Sequence, residues 1–205
     1  KLVFLGQSLA QRGLLVLRFD FAAAAPAGNF EEITYSGEVA DLQSAFSFMG
    51  THHRGKIGLL GSSMGGTVTL LFAARQQDIA TIVTLAAPVH PERFIDRLLT
   101  PAEVRHWRET GYTFYHGRRL NAALLEDLQK IDVPEAARRI TCPVLILHGD
   151  RDEVVPVEEA HELHNYLTGP KKLSILEGGD HRLSDTATMK RALTEAIDWL
   201  CAGLD

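Results

Sequence analysis

Short apolar runs rich in valine, isoleucine and leucine alternate along this chain with segments of helical spacing. Such alternation is typical of a parallel sheet covered by helices on both faces. We therefore expect an α/β fold, and 205 residues suffice for one domain with a sizeable core. Strands are predicted at residues 14–21, 56–60, 80–87, 142–149 and 171–178, and helices at residues 2–12, 36–49, 65–76, 156–167 and 185–201.

Residues 88–139 interrupt the alternation with a polar and aromatic segment. Within it, helices are predicted at residues 101–110 and 121–130, and the His-Gly pair between them suits the turn of a short hairpin. An insertion of about fifty residues after a strand is typical of a cap over a site. The predicted organisation is a core in two parts, residues 1–87 and 140–205, with a small, mainly helical cap at residues 88–139.

The composition of the chain argues against several classes of binding partner. The 26 acidic residues outnumber the 21 Lys and Arg, so the net charge of −5 does not favour nucleic acid or an anionic membrane surface. The apolar runs have the length of strands, far below the roughly 20 residues of a membrane span. Two cysteines, Cys142 and Cys201, cannot build a disulfide framework, which favours a reducing, cytoplasmic setting. No His pair has helical zinc-ligand spacing, so no metal or other cofactor is expected.

The segment Gly61-Ser-Ser-Met-Gly65 lies between a predicted strand and a predicted helix. It fits the G-x-S-x-G nucleophile elbow, in which the central serine is presented on a sharp strand-to-helix turn. This register selects Ser63 as the nucleophile rather than Ser62, and makes the Met64 backbone N–H an oxyanion donor. Taken alone, the segment also fits a glycine-rich packing turn.

A general base and an acid are available at the same predicted edge of the sheet. Three carboxylates, Asp150, Asp152 and Glu153, follow the fourth predicted strand, and His181 follows the fifth. The carboxyl ends of parallel strands share one edge, so these side chains are expected to lie near Ser63. The order serine, acid, histidine along the chain is the order of an elbow-type hydrolase.

The motifs "GSSMGG", "HGDRDEVVP" and "GGDH" resemble those of the α/β-hydrolase family, in particular small bacterial esterases and serine-aminopeptidase-like hydrolases. The resemblance selects Asp152 as the acid, because it is the second aspartate of the G-D-x-D-x-x-V-P pattern. It implies a serine hydrolase that cleaves carboxylic esters through an acyl-enzyme on Ser63, with His181 as base. A peptidase or thioesterase with the same triad, and a non-catalytic binding module that retains it, are the alternatives.

The resemblance also implies features that this chain lacks. In the family, a strand that ends in a His-Gly loop precedes the helix with which this chain begins. The loop supplies the second oxyanion donor, and the strand lies in the sheet between those predicted here at 14–21 and 56–60. Neither is found in the sequence, so the N-terminal strands are expected to be missing and the sheet to have an open edge. We therefore expect that the sequence is a fragment, or that an N-terminal segment of a few dozen residues is missing from it.

Four residues of the predicted cap are candidates for contact with substrate: Tyr112, Phe114, Tyr115 and His90. Aromatic side chains there would suit an acyl or aromatic group, although they would serve equally to hold the cap to the sheet. The expected partner is a small-molecule acyl substrate, and a homodimer is left open.

Overall fold

A computed structural model describes the backbone of residues 1–205 and all side chains except those of Phe94, Asp96 and Leu98. Its central sheet has four parallel strands in the order β1-β2-β5-β6, and an antiparallel hairpin, β3-β4, lies apart from it. The strands are β1 (Ile57–Ser62), β2 (Ile79–Leu85), β3 (Tyr112–Tyr115), β4 (Arg118–Asn121), β5 (Val144–Gly149) and β6 (Lys171–Leu176).

Nine α-helices are present in the described backbone, together with a 3₁₀ turn at Phe30–Glu32. Side chains of Thr34, Asp132 and Asp185 accept backbone N–H groups at the starts of three of them, as good N-caps do. The helices are α1 (Leu2–Gln11), α2 (Tyr35–His52), α3 (Met64–Ala73), α4 (Pro91–Leu98), α5 (Pro101–Thr110), α6 (Ala123–Leu128), α7 (Val133–Arg139), α8 (Val157–Tyr166) and α9 (Thr186–Leu204).

The core lies on both faces of the sheet. Along β5, Val144 and Ile146 pack into a cluster with residues of α2, α3, α7 and α8, whereas Leu145 and Leu147 pack into a second cluster with residues of α1 and α9. Period-two alternation therefore serves two cores at once, which is why the strand is apolar throughout. The expected parallel sheet with helices on both faces is confirmed.

Residues 14–21, for which a strand is predicted, form no strand, so this prediction is wrong. A strand needs a partner, and an apolar groove of about 700 Å³ lies between this segment and β1, lined by both. Leu15 consequently stays 57% exposed despite its strand-like sequence. The strand that the resemblance implies at this position is missing from the sheet, so β1 is an edge strand paired only with β2.

The segment between β2 and β5 holds helices α4 to α7 and the hairpin β3-β4. The hairpin prediction is confirmed, and the chain reverses through His116 and Gly117, both with positive φ. Helix α5 coincides with residues 101–110, α6 is shorter than predicted, and α4 and α7 were not predicted. The buried Glu159 of α8 accepts the N–H groups of Val89 and His90 at 2.8 and 3.0 Å, which fixes the start of α4.

Among the described residues, no helix combines the length and the apolar character that crossing a bilayer requires.

One buried carboxyl group weakens this fold at neutral pH. Glu38 of α2 is 4% exposed, and its Oε2 has no hydrogen-bond partner among the described residues. Burial, and secondly the neighbouring Asp41, raise the pKa of Glu38 from its ordinary 4.5 to about 8. The folded state thus keeps a proton that the unfolded chain releases, so this group lowers stability as pH rises from 4.5 to 8.

We predict that Glu38→Gln raises the free energy of unfolding at pH 8 by on the order of 1–3 kcal/mol and changes it little at pH 4. The amide keeps the shape of the protonated acid and cannot ionise. Urea titrations at the two pH values measure the difference. Glu109→Gln, on the exposed face of α5, is the control and should be neutral at both; an equal effect of Glu38→Gln at pH 4 and pH 8 would contradict the prediction.

Candidate active site

Ser63 occupies the turn between the end of β1 and the start of α3. Its backbone has φ 53° and ψ −129°, a region that residues with a Cβ rarely adopt. Ser63 N donates to Leu85 O of β2 at 2.8 Å, which ties the turn to the neighbouring strand. The hydroxyl therefore projects at the carboxyl edge of the sheet, as the elbow motif requires.

Small residues around Ser63 let the backbone pass through this turn. A Cβ on Gly61 would collide with the carbonyl group of Gly65, and a Cβ on Gly66 would lie 2.7 Å from the Cβ of Ala87. Neither position has room for a side chain. The glycine spacing in the sequence thus reflects the close approach of β1, α3 and the end of β2.

The structure brings Ser63, His181 and Asp152 together. His181 Nε2 lies 3.0 Å from Ser63 Oγ, and His181 Nδ1 lies 2.8 Å from Asp152 Oδ2 and 3.1 Å from Oδ1. The Asp152 side chain is fully buried, and that of His181 is 15% exposed. A hydroxyl, an imidazole and a carboxylate in this order can move the hydroxyl proton to the imidazole.

The Asp152 carboxylate has several donors besides His181. Its Oδ1 accepts the backbone N–H groups of Val154 and Val155 at 2.9 and 2.8 Å. Burial would raise the pKa of Asp152, but the hydrogen bonds from His148, His181 and these two N–H groups outweigh it and lower the pKa below its ordinary value. Asp152 is therefore ionised at every pH at which His181 could act as a base.

The two other candidate carboxylates have different surroundings. Asp150 Oδ1 accepts the N–H of Gly178 at 2.6 Å, which links the loops after β5 and β6. Both Asp150 and Glu153 are exposed. Of the three carboxylates after β5, Asp152 is the one in contact with His181.

His148 is a further neighbour of the Asp152 carboxylate. From the sequence alone, a histidine at the end of an apolar strand and next to Gly149 is expected to be packed and hydrogen-bonded rather than catalytic. It is fully buried, and its Nε2 lies 2.8 Å from Val155 O and 3.3 Å from Asp152 Oδ2. The alternation along β5 predicts its burial, but its contact with Asp152 depends on the loop that follows.

Met64 is the first residue of α3, so its N–H has no acceptor in a preceding helical turn. Such an N–H, at the positive end of a helix and adjacent to Ser63, can donate to a developing oxyanion. The second donor implied by the resemblance belongs to a loop that the described residues do not contain.

The four candidate substrate contacts lie in different surroundings. Tyr115 and Met64 both pack against an apolar cluster of Ile33, Trp107 and Leu120. Phe114 is 59% exposed. Tyr112 stacks under the Arg119 guanidinium, 4.4 Å from ring centroid to Cζ. His90 lies between Glu92 and Glu162, with ring nitrogens 3.1 and 2.7 Å from their oxygens. Tyr115 is therefore the one of these four candidates that shares an apolar cluster with Met64.

Within the described side chains, no group of three or more His, Cys, Asp and Glu residues is arranged to hold a metal ion. Cys142 and Cys201 are both free thiols.

Residues 34–205 match the family model described as the prolyl oligopeptidase family of peptidases. An uncharacterised protein, YqkD of Bacillus subtilis, is 29% identical over 154 residues, which cover 72% of this chain and 50% of that protein. The mitochondrial palmitoyl-protein thioesterase ABHD10 of Mus musculus is 25% identical over 190 residues, 85% of this chain and 61% of the relative. The chain thus spans between half and two thirds of the length of these two relatives.

Solved structures give the same picture of the fold. The crystal structure of the esterase domain of a Rhodothermus marinus protein superposes with a TM-score of 0.73 at 25% identity, covering 97% of this chain and 78% of that one. A likeness of this extent shows that the two chains share one fold.

We predict that Gly61→Ala lowers the free energy of unfolding by about 1–3 kcal/mol, because the new methyl group must displace the Gly65 backbone at the elbow. Gly50→Ala is the matched control: Gly50 lies in α2, and a Cβ there meets nothing within 4 Å. It should be neutral or stabilising by about 0.5–1 kcal/mol, as expected for alanine in a helix. Thermal and urea unfolding measure both, and equal stability of the two variants would contradict the prediction.

Proposed function

Because this chain belongs to the prolyl oligopeptidase family, within the α/β-hydrolases, we propose that it is a serine hydrolase that cleaves carboxylic esters. Ser63 is the nucleophile, His181 the general base and Asp152 the residue that orients it. The observation that carries the proposal is the unbroken set of contacts from Ser63 Oγ through His181 to Asp152, at 3.0 and 2.8 Å.

Acylation begins with attack of Ser63 Oγ on the ester carbonyl carbon while His181 Nε2 takes the hydroxyl proton. The Met64 N–H stabilises the negative oxygen of the tetrahedral intermediate. The intermediate collapses when His181 returns the proton to the leaving alkoxide, which departs as the alcohol. Asp152 stays ionised throughout and stabilises the imidazolium.

Deacylation repeats these steps with water as the nucleophile. His181, exposed on one side, removes a proton from a water molecule that attacks the acyl group on Ser63. The acid is released and the Ser63 hydroxyl is restored. The cycle needs no metal and no other cofactor.

The acyl group is proposed to lie between the elbow and the cap, against Tyr115 and Met64. Contacts of Tyr112, Phe114 and His90 with the substrate stay predictions. The proposed substrate is a small molecule, and the two free cysteines favour a reducing, cytoplasmic location.

A thioesterase is the second candidate. The triad chemistry is the same, and a relative that matches 85% of this chain carries the name palmitoyl-protein thioesterase. A thioester differs from an ester in its better leaving group, so the two candidates differ in the substrate and not in the catalytic residues. A panel of p-nitrophenyl esters from acetate to palmitate, matched acyl thioesters and peptide p-nitroanilides distinguishes ester, thioester and amide cleavage through their kcat/KM values.

We predict that Ser63→Ala abolishes labelling by a fluorophosphonate probe and reduces kcat on p-nitrophenyl esters by 10³-fold or more, as loss of a catalytic nucleophile does. The neighbouring Ser62→Ala is the matched control and should retain labelling and turnover within about threefold. Gel fluorescence measures the labelling, and stopped-time assays measure the turnover of the esters. Wild-type protein that labels nowhere, or labelling that survives in Ser63→Ala, would exclude the proposed function.

A further inference from the structure

His148 is a buried histidine whose ring touches the acid of the proposed triad. Its side chain is 1% exposed, and Nε2 lies 2.8 Å from Val155 O and 3.3 Å from Asp152 Oδ2. Its Nδ1 is buried and has no hydrogen-bond partner among the described residues. Both groups next to Nε2 are acceptors, so Nε2 carries the hydrogen and Nδ1 does not.

The shared Nε2–H acts on Asp152 in two ways. Its shorter contact holds the Val155 carbonyl, and this fixes the turn whose N–H groups at Val154 and Val155 point to Oδ1. Its longer contact reaches Oδ2, the same oxygen that His181 Nδ1 approaches at 2.8 Å. The carboxylate is therefore held on Oδ1 by the backbone and on Oδ2 by two imidazole rings.

We propose that His148 is a positioning residue of the active site, which fixes the Asp152 loop and limits how strongly the carboxylate binds the protonated form of His181. The inference rests on the proposed serine hydrolase function. A second donor on Oδ2 draws off part of the negative charge that would otherwise face His181 alone. Without this donor, His181 would hold its proton more tightly, so at low pH a smaller fraction of its rings would be free to accept the Ser63 proton.

Three other charged groups have interactions of their own. Lys1 interacts electrostatically with Asp152, Asp180 and Arg182. On α8, Glu159 is occupied by the start of α4 and by Arg97. Glu195 of α9 is paired with Arg191 of the same helix and with Lys172 and Ser174 of β6. The rings of His148 and His181 both contact the Asp152 carboxylate, so substitution of His148 changes one of these two contacts directly.

The test measures the rate of fluorophosphonate labelling of the whole chain from pH 5 to pH 9. The labelling rate should rise with pH along an acidic limb, and we expect His148→Leu to move the midpoint of this limb upward by about half a pH unit or more. The labelling rate at pH 6, relative to that at pH 8, should then fall about threefold or more. His148→Gln, whose amide N–H reaches the position of Nε2, should return the midpoint to that of the wild type. Thr84→Val removes a different buried polar group, a hydroxyl on the neighbouring strand β2, and should leave the pH profile of labelling unchanged.

A role in packing alone would lower the melting temperature of His148→Leu without moving the limb, and that result overturns the inference. Equal shifts in His148→Leu and His148→Gln overturn it as well. Where His148→Leu does not fold, His148→Asn takes its place, because its shorter amide cannot reach Oδ2 and should shift the limb while His148→Gln does not. Wild-type protein that fails to label at Ser63 overturns the proposed function instead, so the two failures are distinct.

Discussion

The conformation of Ser63 is the constraint on which the rest of the site depends. A serine at φ 53° costs on the order of 1–3 kcal/mol relative to an ordinary turn, and that strain persists only where the surroundings enforce it. Here the Ser63 N–H is held by Leu85 O, while Gly61 and Gly66 let β1, α3 and the end of β2 approach closely. The close packing of β1, α3 and the end of β2 thus offsets the strain at this turn.

The order of the strands explains how residues far apart in the sequence meet. β5 and β6 are neighbours, so the loops that carry Asp152 and His181 leave the sheet side by side, and Asp150 bonds one loop to the other through Gly178 N. Ser63 leaves from β1, with β2 and β5 between it and β6. The loop after β6 brings His181 Nε2 to within 3.0 Å of Ser63 Oγ, and the Asp152 carboxylate orients the ring through its contact with Nδ1.

The sequence predicts those parts of the fold that depend on local periodicity. Both ends of β1, β2, β5 and β6 lie within two residues of their predicted positions, because apolar runs bounded by glycine and polar residues leave little freedom. Residues 14–21 have the same apolar pattern but pair with no strand in the described backbone. An apolar pattern predicts a tendency to form a buried strand, and it does not tell whether a neighbouring strand is present to pair with it. The carboxylate choice at Asp152 needed a family pattern, and the contact with His148 needed coordinates, because the turn at 152–155 creates it.

The donors around Asp152 suit a base that must gain and lose a proton in each cycle. Ionising a buried carboxylate is costly, and either cations or neutral dipoles can offset that cost. A lysine or arginine on the carboxylate would compete with the imidazolium for its negative charge far more strongly than an N–H dipole does, and would remove most of the stabilisation of the imidazolium. The backbone N–H groups of Val154 and Val155 and the Nε2 of His148 lie against the carboxylate, while the proposed base His181 approaches Oδ2 with its Nδ1. An acid held by neutral dipoles stays ionised without opposing the proton transfer that it supports.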